Sequence, residues 1–281
     1  MDLKRLNQFP SVAANAVSTL VTSQLIDTSV HALVLEMGGT TFTKAHITNI
    51  RVRLDGKDLL NGISGAQLQD LNDYFGLPDV TNYLVIPFGD PTARTVRGQH
   101  LGDLDCSVYR KPLELEITIG AATAPTLQAH AWYSVPKLAM GIGFDEKEAM
   151  QLRSLIRTII QPAAAVTRSV YNISLGGVPG GRVRAFEFFH TNLTKVDYKK
   201  SSLIKHEDVS IALNSALAQQ YARVPQSGLY VLDRIVDGNQ GEAESTIDGK
   251  GLPWNQEVAL TTSAADTITC FADMFITWPQ I

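Results

Sequence analysis

The chain of 281 residues carries one β-rich pattern twice. Ile47-Thr48-Asn49-Ile50 is echoed by His190-Thr191-Asn192-Leu193, 143 positions later. Upstream, Leu35-Glu36-Met37-Gly38-Gly39 is echoed by Ile173-Ser174-Leu175-Gly176-Gly177, at an offset of 138. Internal repetition in one chain is the sequence signature of repeated structural units. The sequence therefore predicts two similar domains in tandem.

Each half also predicts the same order of elements, namely strand, strand, helix, strand, strand and strand. The segments of the first half are 31–37, 41–54, 64–75, 83–88, 113–119 and 127–135. Those of the second half are 170–175, 182–189 continued by 194–198, 206–221, 228–236, 257–262 and 267–276. Each half spans roughly a hundred residues, which is the size of one antiparallel β-sandwich.

These patterns predict an all-β fold of two tandem eight-stranded jelly-roll β-sandwiches with short helices and an N-terminal helical arm, although the sequence assigns only five strands to each half. The expected segments are an arm at 1–26, a first jelly roll at 27–136, a helical connector at 137–165 and a second jelly roll at 166–281. Inside the connector, Asp145 to Ile160 has helical spacing, acidic residues at its start and Pro162 beyond its end. The helix at 206–221 is expected to turn Ile211, Leu213, Ala216 and Leu217 inward.

The arm has apolar residues three or four positions apart, interrupted at Pro10. One interpretation is a helix packed on its own domain. The other is an arm on a membrane surface or on a neighbouring subunit, with Lys4 and Arg5 touching anionic lipid.

Bulk properties exclude several classes of protein. The net charge of −4 and the pI near 5.9 argue against nucleic acid as the main partner, because a duplex-binding domain carries a basic stripe. The apolar runs are too short to span a bilayer, and polar residues interrupt any signal-peptide core, so the chain is expected to stay inside the producing cell. Cys106 and Cys270 lie far apart without metal-type spacing, which predicts two isolated buried thiols.

No catalytic signature is present. The sequence has no nucleophile elbow and no phosphate-binding loop. No two of the six histidines are closer than fifteen residues, so none forms a His-x-His metal pair, and each is expected to stand alone. They are His31, His46, His100, His130, His190 and His206. The chain is thus predicted not to be an enzyme, with no catalytic and no metal residue.

Other polar and aromatic groups have ordinary explanations. The pairs Asp103/Asp105 and Glu114/Glu116 are expected on the solvated surface. The segment 237–242 offers oxygen ligands for Ca²⁺ but lacks the full loop pattern, so no cofactor is predicted and Ca²⁺ has no motif to support it. The core is the expected place of the tryptophans, which are Trp132, Trp254 and Trp278.

Four segments carry a family resemblance, namely 47–59, 113–120, 186–198 and 228–243. With the doubling, they resemble the double jelly-roll major capsid proteins of tailless, membrane-containing icosahedral bacteriophages, of the corticovirus kind. The resemblance implies a structural protein whose homotrimers form pseudo-hexagonal tiles of an icosahedral virion shell around an internal membrane. It also matches the membrane-facing arm to Leu3, Lys4, Arg5, Leu6 and Phe9.

The implied partners are other copies of the chain, the internal lipid membrane, and penton and minor capsid proteins, with no sequence-specific contact to nucleic acid. The implied location is the virion capsid, after the host cell cytoplasm. Some relatives hold Ca²⁺ at shell interfaces.

Two alternatives stay open on the sequence. One is a two-domain β-sandwich protein that binds carbohydrate or a receptor, such as a spike, which should expose aromatic side chains. The other is a cupin-like enzyme, which should show a polar cluster in one half that its twin lacks.

Overall fold

The computed structural model describes residues 2–173, 175, 181–201, 203–248 and 250–277. Two compact units divide the chain: the first holds residues 2–73, 77–155 and 277, and the second holds 74–76 and the rest up to 276. The predicted glycine-rich loop at 176–180 and Trp278 lie outside the described residues.

The described part of the first unit contains nine complete strands, the beginning of a tenth and several short helices. The strands are β1 (Asp2–Arg5), β2 (Ala16–Thr22), β3 (Ser29–Gly38), β4 (Ile47–Leu54), β5 (Lys57–Ile63), β6 (Tyr83–Pro87), β7 (Leu104–Asp105), β8 (Leu113–Ile119) and β9 (Thr126–Ser134). The α-helices up to residue 149 are α1 (Gly65–Tyr74), α2 (Val96–His100), α3 (Cys106–Tyr109) and α4 (Glu146–Ala149), and 3-10 turns cover Lys44–His46 and Lys137–Ala139.

The remaining elements lie after α4 in the sequence. They are β10 (Gln151–Ile160), β11 (Val166–Asn172), β12 (Arg182–Phe189), β13 (Leu193–Lys200), β14 (Leu203–Ser210), α5 (Ile211–Gln220), β15 (Leu229–Asp233), a 3-10 turn (Gln240–Glu242), β16 (Glu244–Ser245), β17 (Gln256–Thr262) and β18 (Ile268–Thr277).

The strand pairing of the first unit recurs in the second. In the first, β9, β3 and β6 pair in that order with β7 beside β3, while β5, β4, β8 and β2 form the other series. In the second, β18, β12 and β15 pair in that order with β16 beside β12, while β14, β13, β17 and β11 form the other. Each unit thus has eight equivalent strands in two layers, and a helix, α1 or α5, follows the fourth of them. This confirms two eight-stranded sandwiches.

Simple sequence rules explain several elements. In β8, Leu113, Leu115, Ile117 and Ile119 are buried and alternate with half-exposed residues, as a strand with one wet face requires. Asp55 and Gly56 link β4 to β5 with φ angles of 52° and 72°, the conformation of a tight hairpin turn. Ser64 Oγ accepts a hydrogen bond from Gln67 N and so caps α1 where predicted.

The two sequence echoes fare differently. The echo at 47–50 and 190–193 falls on β4 and at the start of β13, which are equivalent strands. The echo of residues 35–39 and 173–177 instead sets β3 against residues that follow β11, and the strand equivalent to β11 is β2. This second echo is a chance likeness, and Gly176-Gly177 lies outside the described residues.

Both predicted helical segments outside the sandwiches are wrong. Residues 1–26 contain β1 and β2 and belong to the first unit; seven residues of β2 pair with β8, and this tertiary pairing overrides the weak helical spacing. Within 137–165, the cap at Asp145 is real, but α4 ends at Ala149 and β10 begins at Gln151. Leu152 to Leu155 are all buried, so β10 lacks the alternation that marks a strand.

Candidate functional site

The N-terminal residues proposed for a membrane are not equivalent in the structure. β1 pairs with β9, and the cross-strand partners Leu3 and Trp132 are both exposed. Leu6 and Phe9 are buried, so they cannot face lipid in this conformation. Only Leu3, Lys4 and Arg5 remain accessible, in whole or in part. Within the described ranges, no helix is long and apolar enough to cross a bilayer.

Helix α5 presents an apolar stripe to solvent. Leu213, Leu217 and Tyr221 follow one another at intervals of four and are 50%, 45% and 47% exposed. Residues four apart lie on one helix face, so their side chains form a continuous strip. Ala218 is buried instead, and Asn214 Nδ2 donates to Val231 O at 2.9 Å, which sets the helix orientation. The expectation that Leu213, Ala216 and Leu217 point inward is wrong, because an apolar helix face looks the same in sequence whether its neighbour is the core or another molecule.

The first unit also contains a buried polar cluster that the spacing of the histidines in the sequence does not predict. His31 lies on β3, His100 ends α2, and Asp103 precedes β7. Asp103 Oδ2 lies 2.5 Å from His31 Nδ1 and 2.8 Å from His100 Nδ1, and the two Nδ1 atoms are 3.1 Å apart. Two histidines expected to stand alone therefore meet at one carboxylate oxygen. In the part of the chain that the structure describes, these three side chains bring two imidazole nitrogens and a carboxylate oxygen within 4.8 Å of one another, which is a grouping that can hold a metal ion.

The backbone fixes this cluster firmly. His31 O accepts from Phe88 N at 2.8 Å and from Gly89 N at 3.0 Å, so β3 is anchored beside the loop after β6. A Cβ atom on Gly89 would lie 2.5 Å from Asp103 Oδ1, so only glycine allows the carboxylate to lie this close. Asp103 is fully buried, and its Oδ1 has no hydrogen-bond partner among the described residues.

A buried lysine lies in the same unit. Lys137 Nζ donates to Leu101 O at 2.9 Å and to Gln151 O at 2.6 Å, and its backbone N donates to Asp105 Oδ2 at 2.7 Å. Burial lowers the pKa of Lys137 to about 8, while the charges of Asp103 and Asp105 act in the opposite direction. Asp103 and Asp105 are thus interior groups, and their expected surface position is wrong.

The second carboxylate pair behaves as predicted. Glu114 and Glu116 are half-buried on the outer face of β8, and Arg53 on β4 lies 3.1 Å and 3.5 Å from their carboxylate oxygens. The candidate Ca²⁺ segment at 237–242 uses its side chains locally: Asp237 Oδ1 accepts from Asn239 N, and Asn239 Oδ1 accepts from Gly241 N.

The other histidines have separate surroundings. His46 closes a capping box with Thr43, and His130 Nε2 lies 2.9 Å from Glu36 Oε2. Burial lowers the pKa of His190, and burial also lowers that of His206 to about 4 beside the Tyr230 hydroxyl. Cys106 and Cys270 are free and buried, which confirms the prediction of isolated thiols.

Buried ion pairs occupy the second unit. Arg184 Nη1 lies 2.8 Å from Asp273 Oδ2, and Arg223 Nε lies 3.1 Å from Asp233 Oδ2, with all four side chains almost fully buried. Burial raises the pKa of Asp233, although Arg223 opposes the shift.

Two tryptophans lie at the surface, contrary to the expected core position. Trp132 is exposed beside Leu3, and Trp254 is exposed with Lys200 Nζ 5.1 Å from its ring centre. Exposed aromatics, the feature expected of a carbohydrate or receptor binder, are therefore present, whereas buried polar groups occur in both units. These local features do not decide between a coat protein, a carbohydrate or receptor binder and a cupin-like enzyme, so the decision depends on the whole fold.

Comparison with solved structures identifies that fold. The major capsid protein P2 from Bacteriophage PM2 matches with a TM-score of 0.80 at 19% identity, over 99% of this chain and 98% of that chain. The STIV major capsid protein matches with a TM-score of 0.71 at 14% identity, over 99% and 97%. The PBCV-1 virus capsid chain matches with a TM-score of 0.58 at 10% identity, over 98% and 94%. No curated protein sequence matches the chain.

The repeated eight-strand topology and these likenesses define a double jelly-roll fold. Family models describe the same two halves: the viral coat protein P2 N-terminal domain matches residues 3–134, and the P2 C-terminal domain matches residues 152–278. The chain belongs to the viral coat protein P2 family.

Proposed function

We propose that this chain assembles as a homotrimer and that its trimers tile an icosahedral virion shell. The observation that carries the proposal is the doubled sandwich topology. Three copies of a chain with two similar units place six similar units around a threefold axis, so a closed trimer has a near-hexagonal outline. Such tiles cover a shell with few kinds of contact.

The stripe of Leu213, Leu217 and Tyr221 supports self-association. Solvent-exposed apolar patches on soluble proteins mark sites of interaction, since burying apolar area gains about 25 cal/mol per Å². The stripe is continuous along α5 and is carried by a helix whose own unit buries little of it. A second copy of the chain is the occupant that a coat protein offers at the highest concentration.

The proposal includes an internal membrane, contacted by the accessible part of the N-terminal segment. Leu3 supplies an exposed apolar side chain, while Lys4 and Arg5 supply positive charge that anionic headgroups attract. Leu6 and Phe9 belong to the fold instead. Penton and minor capsid proteins would complete the shell, and the chain itself would carry out no catalysis.

Light scattering coupled to gel filtration tests the trimer. The intact protein should have a mass about three times the 30.6 kDa of one chain. Leu217→Asp should shift the protein toward monomers while its circular dichroism is unchanged, because a charge would have to be buried in the contact. Gln219→Asp, at an exposed site on the same helix, is the matched control and should remain trimeric. An intact chain that is monomeric at every concentration contradicts the proposal.

A further inference from the structure

We propose that His31, His100 and Asp103 form a binding site for Zn²⁺ within the first unit. The proposal is independent of how the chain assembles. It rests on the positions of three ligand atoms, on their chemistry and on the burial of the carboxylate.

The first argument is geometric. The ligand atoms His31 Nδ1, His100 Nδ1 and Asp103 Oδ2 form a triangle with sides of 2.5, 2.8 and 3.1 Å. Zn²⁺ binds nitrogen and oxygen ligands at about 2.0–2.2 Å. An ion on one side of this triangle can contact all three atoms once they move apart by up to about 1 Å, because a tetrahedral ion with such bonds holds its ligand atoms about 3.3–3.6 Å apart.

The second argument is chemical. Two imidazole nitrogens and one carboxylate oxygen are a ligand set typical of zinc and other first-row transition metals, whereas Ca²⁺ and Mg²⁺ prefer oxygen ligands throughout. Three protein ligands leave one position of a tetrahedral ion free. The side chain of His100 is 13% exposed, so this ligand lies nearest the surface of the three.

The third argument concerns the carboxylate. Asp103 is fully buried, and a buried carboxylate is costly unless it is paired or binds a metal. Its Oδ1 faces Gly89 and has no hydrogen-bond partner among the described residues. Asp105 adds a second fully buried carboxylate in the same unit, while the Lys137 ammonium donates to two carbonyl oxygens. A divalent cation would compensate the negative charge at Asp103 directly.

Without metal, the same three side chains form a hydrogen-bonded group in which both Nδ1 atoms carry protons and donate to Asp103 Oδ2. With Zn²⁺, each Nδ1 must lose its proton and each ring must keep its proton on Nε2. The two states therefore differ in histidine tautomer, and the nitrogen chemical shifts of His31 and His100 report that difference.

The test uses the full chain, stripped with a chelator and titrated with Zn²⁺ and with Co²⁺ as a spectroscopic probe. The intact protein should bind one Zn²⁺ per chain, show the visible absorption of four-coordinate Co²⁺, and gain thermal stability as Zn²⁺ is added. His100→Gln and Asp103→Asn should weaken Zn²⁺ binding by at least about a hundredfold, a larger loss than that from outer-shell partners. His130→Gln is the matched control, because it removes a histidine that contacts a carboxylate elsewhere in the unit.

Circular dichroism in chelator shows which variants fold, and His100→Gln, at the partly exposed position, keeps the test decisive if Asp103→Asn does not fold. Equal Zn²⁺ binding by the intact protein, His100→Gln and His130→Gln overturns the proposal. Failure of the intact protein to bind Zn²⁺ overturns it as well, and the cluster is then a hydrogen-bonded group only.

Discussion

At the scale of single residues, charges buried inside each unit dominate the energetics. Arg184 and Asp273 lie in contact at 2.8 Å with almost no exposed surface. Such a pair gains little over apolar packing, yet removal of one partner leaves an uncompensated charge in the interior. These residues are therefore sensitive to substitution although they take no part in any site.

Asp273→Asn should lower the free energy of unfolding by about 3–5 kcal/mol, because it removes the carboxylate charge in contact with the buried Arg184 guanidinium. Urea unfolding of the purified protein measures the loss. Asp208→Asn is the control, since its ion pair with Lys195 is exposed and should contribute less than about 1 kcal/mol. Similar losses in the two variants would show that burial of the Arg184 pair is not the cause.

Lys137 gives a prediction about pH. Burial lowers its pKa in the folded protein to about 8, whereas the unfolded chain keeps the ordinary value near 10.5. The unfolded state therefore binds the proton more tightly. In the window between about pH 8 and pH 10.5, the free energy of unfolding should rise with pH, by up to about 3 kcal/mol. The charges that oppose the shift are Asp103, Asp105 and Glu148.

Lys137→Met should remove this rise while it lowers stability near neutral pH, because Leu101 O and Gln151 O lose their donor. Urea unfolding of both proteins across the window measures the difference between their slopes. An identical pH dependence in the two would contradict the assignment to Lys137.

Contacts between residues far apart in the sequence could not be predicted from local patterns. His31 and His100 are 69 positions apart, and their meeting depends on the pairing of β3 with its neighbours. No spacing of residues within a short segment predicts such a cluster. Asp103 and Asp105 misled for a related reason: two carboxylates in a short hydrophilic stretch look solvated, and only the fold shows that they are interior.

At the scale of elements, alternation and turn chemistry could be predicted and two-sided burial could not. The alternation of β8 and the Ser64 cap of α1 are both predicted from the sequence and present in the structure. β10 has apolar residues on both faces, so its pattern fits a helix as well as a strand. The N-terminal segment shows the same error, because residues with a weak helical spacing form strand β2.

The N-terminal strands predict two different truncation results. Deletion of residues 2–5 removes β1, whose side chains are largely exposed, and should leave the fold intact while it weakens flotation with anionic liposomes. Deletion of residues 2–20 also removes most of β2 and the buried Leu6, Phe9 and Leu20, so it should destabilise the first unit. Thermal unfolding and liposome flotation measure the two effects. Unchanged flotation without residues 2–5 would refute their role at the membrane.

At the scale of the whole molecule, the repeat was the most informative feature of the sequence. The doubling and the presence of one helix among the strands of each half could be predicted without any structure, although the sequence assigned two strands before that helix and the structure has four equivalent ones. The surfaces proposed for assembly could not be predicted from the sequence. Leu213 and Leu217 have the same spacing whether they face a core or another subunit, and only the exposure of α5 separates the two cases.

The central claim is that three doubled chains make one near-hexagonal tile. Single-particle cryo-electron microscopy of the purified protein tests it most directly. The account predicts a threefold particle of three chains with six similar sandwiches around the axis, and with α5 buried between subunits. A monomer, or a ring of six chains in which α5 stays exposed, would contradict it.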